Sequence, residues 1–150
     1  MITTYSQQNS QWVNEKLING YTVGRWGCLA VSLANARNWF YNKNDNPMWT
    51  VPKLNYTSDG RILWNSLKNV GLKLVERVYG RNEAKINEAL AHPNKCVILQ
   101  VNNNHWVWAI GRKLPILGYR TADPWDGRIK YTNFYRDNIT GCAVISRIVG

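Results

Sequence analysis

Little of this chain is acidic. Only 9 Asp and Glu stand against 19 Lys and Arg, a net charge of +10, which favours contact with anionic surfaces such as nucleic acid, wall polymers or membranes. The basic residues are scattered, with no block of the kind that marks a nucleic-acid tail, so solubility and nonspecific attraction account for the charge equally well. Cysteine is also scarce. Cys28, Cys96 and Cys142 cannot all pair within one chain and lack the close spacing of a zinc site, which leaves at least one free thiol. No apolar run approaches the length of a membrane span. The opening MITTYSQQNSQW has neither a basic segment nor an apolar core, so it does not read as a secretory signal, and the cytoplasm is the expected place of synthesis.

What is present suits one globular domain over residues 1–150, with 45% hydrophobic and 19% charged residues. From Leu29 the apolar positions Leu29, Leu33, Ala36 and Phe40 recur at helical spacing, predicting a helix to about Tyr41 that NKNDNP stops. A second helix is predicted from about Gly60 to Val70, capped by Ser58 or Asp59, striped by Leu63, Leu67 and Val70, and ended by Gly71. A third, from Glu83 to Leu90, stops before Pro93. Then the period changes. KCVILQV and HWVWAIG read as strands joined by a hairpin turn at NNN, and LGYRTADPW, RIKYTNF and GCAVISRIV supply further strands, with turns at WDG and RDN. Helices first and antiparallel strands afterwards predict an α+β domain.

The stretch GRWGCLAVSLANARNWF places Cys28 where the first helix begins. A thiol gains thiolate character there, because unpaired N–H groups and the helix dipole favour negative charge. Gly27 leaves room for an approaching carbonyl, or simply makes a tight turn. Cys96 and Cys142 lie in apolar runs and read as buried strand residues. A nucleophilic thiol needs a base, and the chain offers two: His92, in a loop before Pro93, and His105, which opens HWVWAIG. In that strand His105, Val107 and Ala109 share one face, and Trp106, Trp108 and Ile110 the other. Asp123, ending the next strand in TADPWDG, is placed to accept from the imidazole. Each has a plainer alternative: a packed thiol, a polar residue beside a turn, and an Asp-Pro turn starter. Asp126 is explained by its DG turn. The chain order Cys, His, Asp, with the thiol on a helix and the others on adjacent strands, is that of papain-type enzymes.

With these residues in place, YSQQNSQW, GCLAVSLANARNWF, DGRILW, NNNHWVWAIG and ADPWDG together resemble the bacteriocin-leader-processing cysteine peptidases in the broad sense, the papain-like, peptidase C39-like group of bacteria and their phages. The pieces follow the family's order along nearly the whole chain. The resemblance implies a papain-like cysteine peptidase fold, with N-terminal helices packed on a C-terminal antiparallel sheet. It implies Cys28 as nucleophile, His105 as general base and acid, Asp123 as the orienting carboxylate and Gln7 as the oxyanion-hole side chain, with no metal or organic cofactor. Two departures stand out. Asn9 occupies a position where the family favours Asp, and the transporter-fused leader peptidases carry their glutamine only a few residues before the cysteine, so cleavage of double-glycine leaders is not implied.

The expected function is a thiol peptidase or amidase acting through a Cys28 thioester, with a peptide or the peptidoglycan of a cell wall as substrate and anionic polymer contact through the positive charge. If the origin is a phage, release by lysis or a place in the virion follows. The alternatives are a catalytically silent papain-like binding or virion protein and, with no recognised motif behind it, a nucleic-acid binder. Among 8 tryptophans, Trp12, Trp39, Trp64, Trp106 and Trp125 read as packed residues, while Trp26 and Trp49 are placed to line a cleft.

Overall fold

The computed structural model describes Ile2 and residues 4–148. Two very short strands, β1 (Lys16–Ile18) and β2 (Tyr21–Thr22), form a hairpin, and a one-turn helix α1 (Val23–Trp26) leads into α2 (Cys28–Tyr41). The start and end of α2 agree with the sequence reading, but its surroundings do not. Ala30, Val31, Leu33, Ala34, Ala36 and Phe40 are buried, and so are Ser32, Asn35, Arg37 and Asn38, so the helix is enclosed on nearly every side. Small alanines permit the close approach, and each buried polar group brings a partner. Asn35 accepts from the Tyr5 N–H at 3.0 Å and donates to the Tyr5 carbonyl at 3.3 Å. Arg37 donates to Asp45 Oδ2 at 2.5 Å, and Asn38 Nδ2 to the Asp45 carbonyl at 2.8 Å. The loop that stops the helix, with Asn42 in the left-handed region at φ 50°, thus also supplies the carboxylate that neutralises a buried guanidinium.

After α3 (Pro47–Thr50) and a 3-10 turn (Val51–Lys53), residues 56–70 depart from expectation. Tyr56 and Ile62 pair across a turn in which Gly60 takes φ +81°, so no helix starts there and neither Ser58 nor Asp59 caps one. A shorter 3-10 helix, Trp64–Val70, follows, and it does end at Gly71 in the left-handed region, φ 79°. Then comes a strand absent from the sequence reading, β3 (Leu72–Tyr79), before α4 (Glu83–Ala91), which lies where the third helix is predicted.

The remaining strands fall where predicted: β4 (Lys95–Val101), β5 (His105–Leu114), β6 (Gly118–Asp123), β7 (Arg128–Tyr131) and β8 (Ile139–Arg147). With β3 they make a six-stranded sheet in the order β3-β8-β4-β5-β6-β7, every neighbouring pair antiparallel. Both faces are covered, which explains the unbroken apolar run of β4. On one face Ile98, Trp108, Ala143 and Ile145 pack against Leu33, Ala36 and Phe40 of α2. On the other, Val97, Leu99, Val107 and Cys142 pack against Ile86 and Ala89 of α4. Each fully buried Leu or Ile here contributes about 1.5–3 kcal/mol. Among the described residues, no helix is long and apolar enough to cross a membrane.

Candidate active site

The nucleophile candidate sits where α2 meets the sheet. Gly27, the N-cap, carries no side-chain cap, so the first-turn N–H groups of α2 have no such partner. A Cβ on Gly27 would lie 2.5 Å from the Val23 carbonyl oxygen, so this glycine is required by the tight packing of α1 on α2. Cys28 is half-buried, whereas Cys96 and Cys142 are buried and neither is in a disulfide. Burial pushes both strand thiols up, Cys142 to about 11, which makes them unreactive.

His105 begins β5, directly after a turn in which Asn102 and Asn103 take φ 54° and 65°, a conformation asparagine tolerates. Its Nε2 lies 2.8 Å from Asp123 Oδ1 at the end of β6. Asp123 also accepts from the Trp125 N–H at 2.9 Å on the same oxygen, and on Oδ2 from Tyr135 Oη at 2.5 Å and Lys130 Nζ at 3.0 Å. Burial alone would lower the His105 pKa. The hydrogen bond to Asp123, with a further contribution from the nearby Cys28 thiol, outweighs it and pushes the imidazole up to about 9. Burial likewise works against the Asp123 charge, but donation from His105 and Tyr135 holds the carboxyl well below the usual carboxylate range. Burial and the neighbouring carboxylate push the Tyr135 phenol up, so it stays a donor. With Nε2 committed to Asp123, Nδ1 is the ring nitrogen left for the thiol.

Gln7 is 1% exposed, and its Nε2 donates to the carbonyls of Gly24 at 3.1 Å and Val23 at 3.3 Å, on the turn of helix just before Cys28. Its Oε1 is buried and finds no hydrogen-bond partner among the described residues. Turning the amide over would set oxygen against two carbonyls, so this orientation is the favourable one. Gln8 also donates to Gly24. The N-terminal segment is bound to the loop after Asp123: Thr4 Oγ1 donates to the Gly127 carbonyl at 2.7 Å, Ser6 Oγ to that of Trp125 at 2.8 Å, and the Gln7 N–H to that of Pro124 at 2.6 Å. Asn9 opens the following turn, its Oδ1 accepting from the Gln11 N–H at 2.9 Å.

The structure therefore brings His105 and Asp123 into direct contact, leaves Cys28 near enough to influence the ring, and ties Gln7 to the backbone just before Cys28. His92 lies apart, its Nδ1 accepting from the Asn94 N–H in a turn. Two tryptophan assignments change. Trp125, read as packed, is 50% exposed, and Trp49, read as a cleft residue, is half-buried under Arg37 and Lys53. Trp39 is also partly exposed, while Trp26 is exposed as expected. Trp26 and Trp125 thus stand just before Cys28 and just after Asp123. A groove of about 530 Å³ opens elsewhere, lined by Trp39, Ile110, Arg120 and Ile129. It holds none of these four groups, and nucleophilic chemistry needs touching groups more than volume. Lys130 and Tyr135 escape the sequence reading. The pairing of Lys130 with Thr121 puts it on the face of β6 and β7 that carries Asp123, a fact visible only once the register is known.

No family model and no curated protein matches the chain. Among solved structures it is similar to a double glycine motif protease from an AMS/PCAT transporter, determined in complex with the leader peptide. The two are 20% identical with a TM-score of 0.58, over 81% of this chain and 84% of that one. At this identity what the likeness establishes is the fold: this chain folds like that protease.

Proposed function

We propose that the protein is a papain-like cysteine peptidase or amidase that works through a thioester on Cys28. The observation that carries this reading is the His105–Asp123 contact of 2.8 Å near the half-buried Cys28 that opens α2, on a fold similar to that of a double glycine motif protease. In this reading the Cys28 sulfur, as thiolate, attacks the substrate carbonyl carbon. The oxyanion is held by the Cys28 N–H and by Gln7, which releases one of its two carbonyl partners to donate. Protonated His105 gives its proton to the leaving amine as the C–N bond breaks. Neutral His105 then takes a proton from water, whose oxygen attacks the thioester. The acid leaves and the proton returns to sulfur. Asp123 holds the ring in one orientation throughout.

Peptides of cell-wall peptidoglycan, from a bacterial or phage setting, are the substrate we favour within this class. The net charge of +10 and the exposed Trp26 and Trp125 beside the site suit an anionic, saccharide-bearing polymer. Iodoacetamide is expected to label Cys28 rapidly at about pH 6, and His105→Ala to abolish the effect. Clearing of purified cell walls should be lost in Cys28→Ala. Labelling of Cys28 no faster than that of a free thiol would favour a silent scaffold and reject the enzyme.

A further inference from the structure

The carboxylate that orients His105 does not belong to His105 alone. Lys130 Nζ bridges Asp123 Oδ2 and Asp126 Oδ2, each at 3.0 Å, and its side chain is only 14% exposed. Its ammonium also lies 4.5 Å from the centre of the Phe134 ring. Tyr135 Oη takes the same Asp123 oxygen at 2.5 Å, and its ring stands 6.1 Å from the imidazole. The charged and titratable groups facing His105 are thus Cys28 from α2, Asp123 from β6 and Tyr135 from the 3-10 turn Thr132–Tyr135. Those facing Lys130 are Asp123 and Asp126.

Thioester chemistry asks two opposite things of one imidazole. It must be protonated when the amine leaves and neutral when water attacks. A buried carboxylate serving an imidazolium alone would hold that proton tightly and slow the second half. An ammonium on the carboxylate's other oxygen competes for the same negative charge.

We propose that Lys130 is a positioning residue of the acyl-transfer site: shared between Asp123 and Asp126, it fixes the rotation of the Asp123 carboxylate and draws off part of its charge, so that His105 gives up its proton between the two halves of the cycle. The inference rests on the thioester reading for its place in the cycle, and on the four contacts of Asp123 for its geometry. Asp126 sets the strength of the device, because it claims the other side of the same ammonium.

The test is an NMR titration of the two imidazoles in the intact protein, with exposed His92 as internal control. Lys130→Met is expected to raise the His105 midpoint by about one pH unit, leaving His92 unmoved. Asp126→Asn, which leaves the ammonium to Asp123, is expected to lower it. Merely loosening the site would bring the ring back toward an ordinary histidine in both variants, so a fall or no change in Lys130→Met overturns the proposal. Lys130→Gln keeps a donor without the charge and must show the same rise, which decides the matter if the methionine variant fails to fold. In burst assays at about pH 7, Lys130→Met should accumulate several-fold more Cys28 thioester than the wild type, and equal accumulation also overturns the proposal. If the wild type forms no thioester from any peptide or muropeptide, the peptidase reading falls, and the titration still judges the hold of Lys130 on His105.

Discussion

Asp123 and Gln7 are both almost wholly enclosed, at 2% and 1% exposure, and they are neighbours in the fold, the Gln7 N–H bonding to the Pro124 carbonyl. Yet they are satisfied in opposite ways. Every direction in which Asp123 can accept is filled, by an imidazole, a backbone amide, a phenol and an ammonium. Gln7 has its donors engaged, while its Oε1 meets no partner among the described residues. A saturated carboxylate cannot turn, which is what an orienting group requires. A buried amide with an orphan oxygen forfeits about 1–3 kcal/mol and is free to trade partners, which suits a group that must answer a transient charge.

The sharpest way to break this contrast is Asp123→Ala. It should cut kcat by about four powers of ten and, by taking the buried carboxylate from His105 and Tyr135 while Lys130 keeps Asp126, cost about 1–3 kcal/mol of stability. Single-turnover kinetics beside urea unfolding reads both, and near-normal turnover would mean that saturation has nothing to do with orientation. Gln7→Ala should be smaller and differently distributed: kcat down by about two to three powers of ten with KM nearly unchanged, and little loss of stability, because the orphan oxygen leaves with the two bonds. A large stability loss with full kcat would make Gln7 a packing residue. The third effect is a pH dependence. His105 is raised from 6.5 to about 9 in the folded state, so its contribution is full below pH 6.5 and is lost as pH rises through about 9. That contribution is at most about 3 kcal/mol. Asp123 is shifted the other way, so its contribution is present above the ordinary carboxylate range and lost only in strong acid. Unfolding free energy should therefore decline between pH 6.5 and about 9 in the wild type and not in His105→Gln. A flat wild-type profile would separate the His105–Asp123 contact from stability.

Much of this arrangement is legible in the chain. The α2 helix, the five later strands and the positions of Cys28, His105 and Asp123 follow from periodicity and from turn residues such as the asparagines after β4. What the sequence hides is set at a distance. β3 is an edge strand whose alternation is broken by a bulge between Leu74 and Glu76, so LKLVERVY carries a weak period. The turn at Gly60 is made by pairing of Tyr56 with Ile62, which overrides the helical stripe after it. Lys130 and Tyr135 reach Asp123 through strand register and through a 3-10 turn, neither of which a local pattern encodes. The enclosure of α2 by polar partners depends on Tyr5 and Asp45, residues that periodicity within the helix cannot reveal.

The bonds from the N-terminal segment to the loop after Asp123 have a consequence for synthesis. Thr4 grips Gly127 across 123 positions of chain, and Ser6 grips Trp125 across 119. On the ribosome residues 4–7 must wait until residues 124–127 have emerged before they can dock. The Gln7 backbone bond to Pro124 forms only then, so until that loop is made Cys28 lacks the surroundings seen in the folded protein. The order of these events is a by-product of topology.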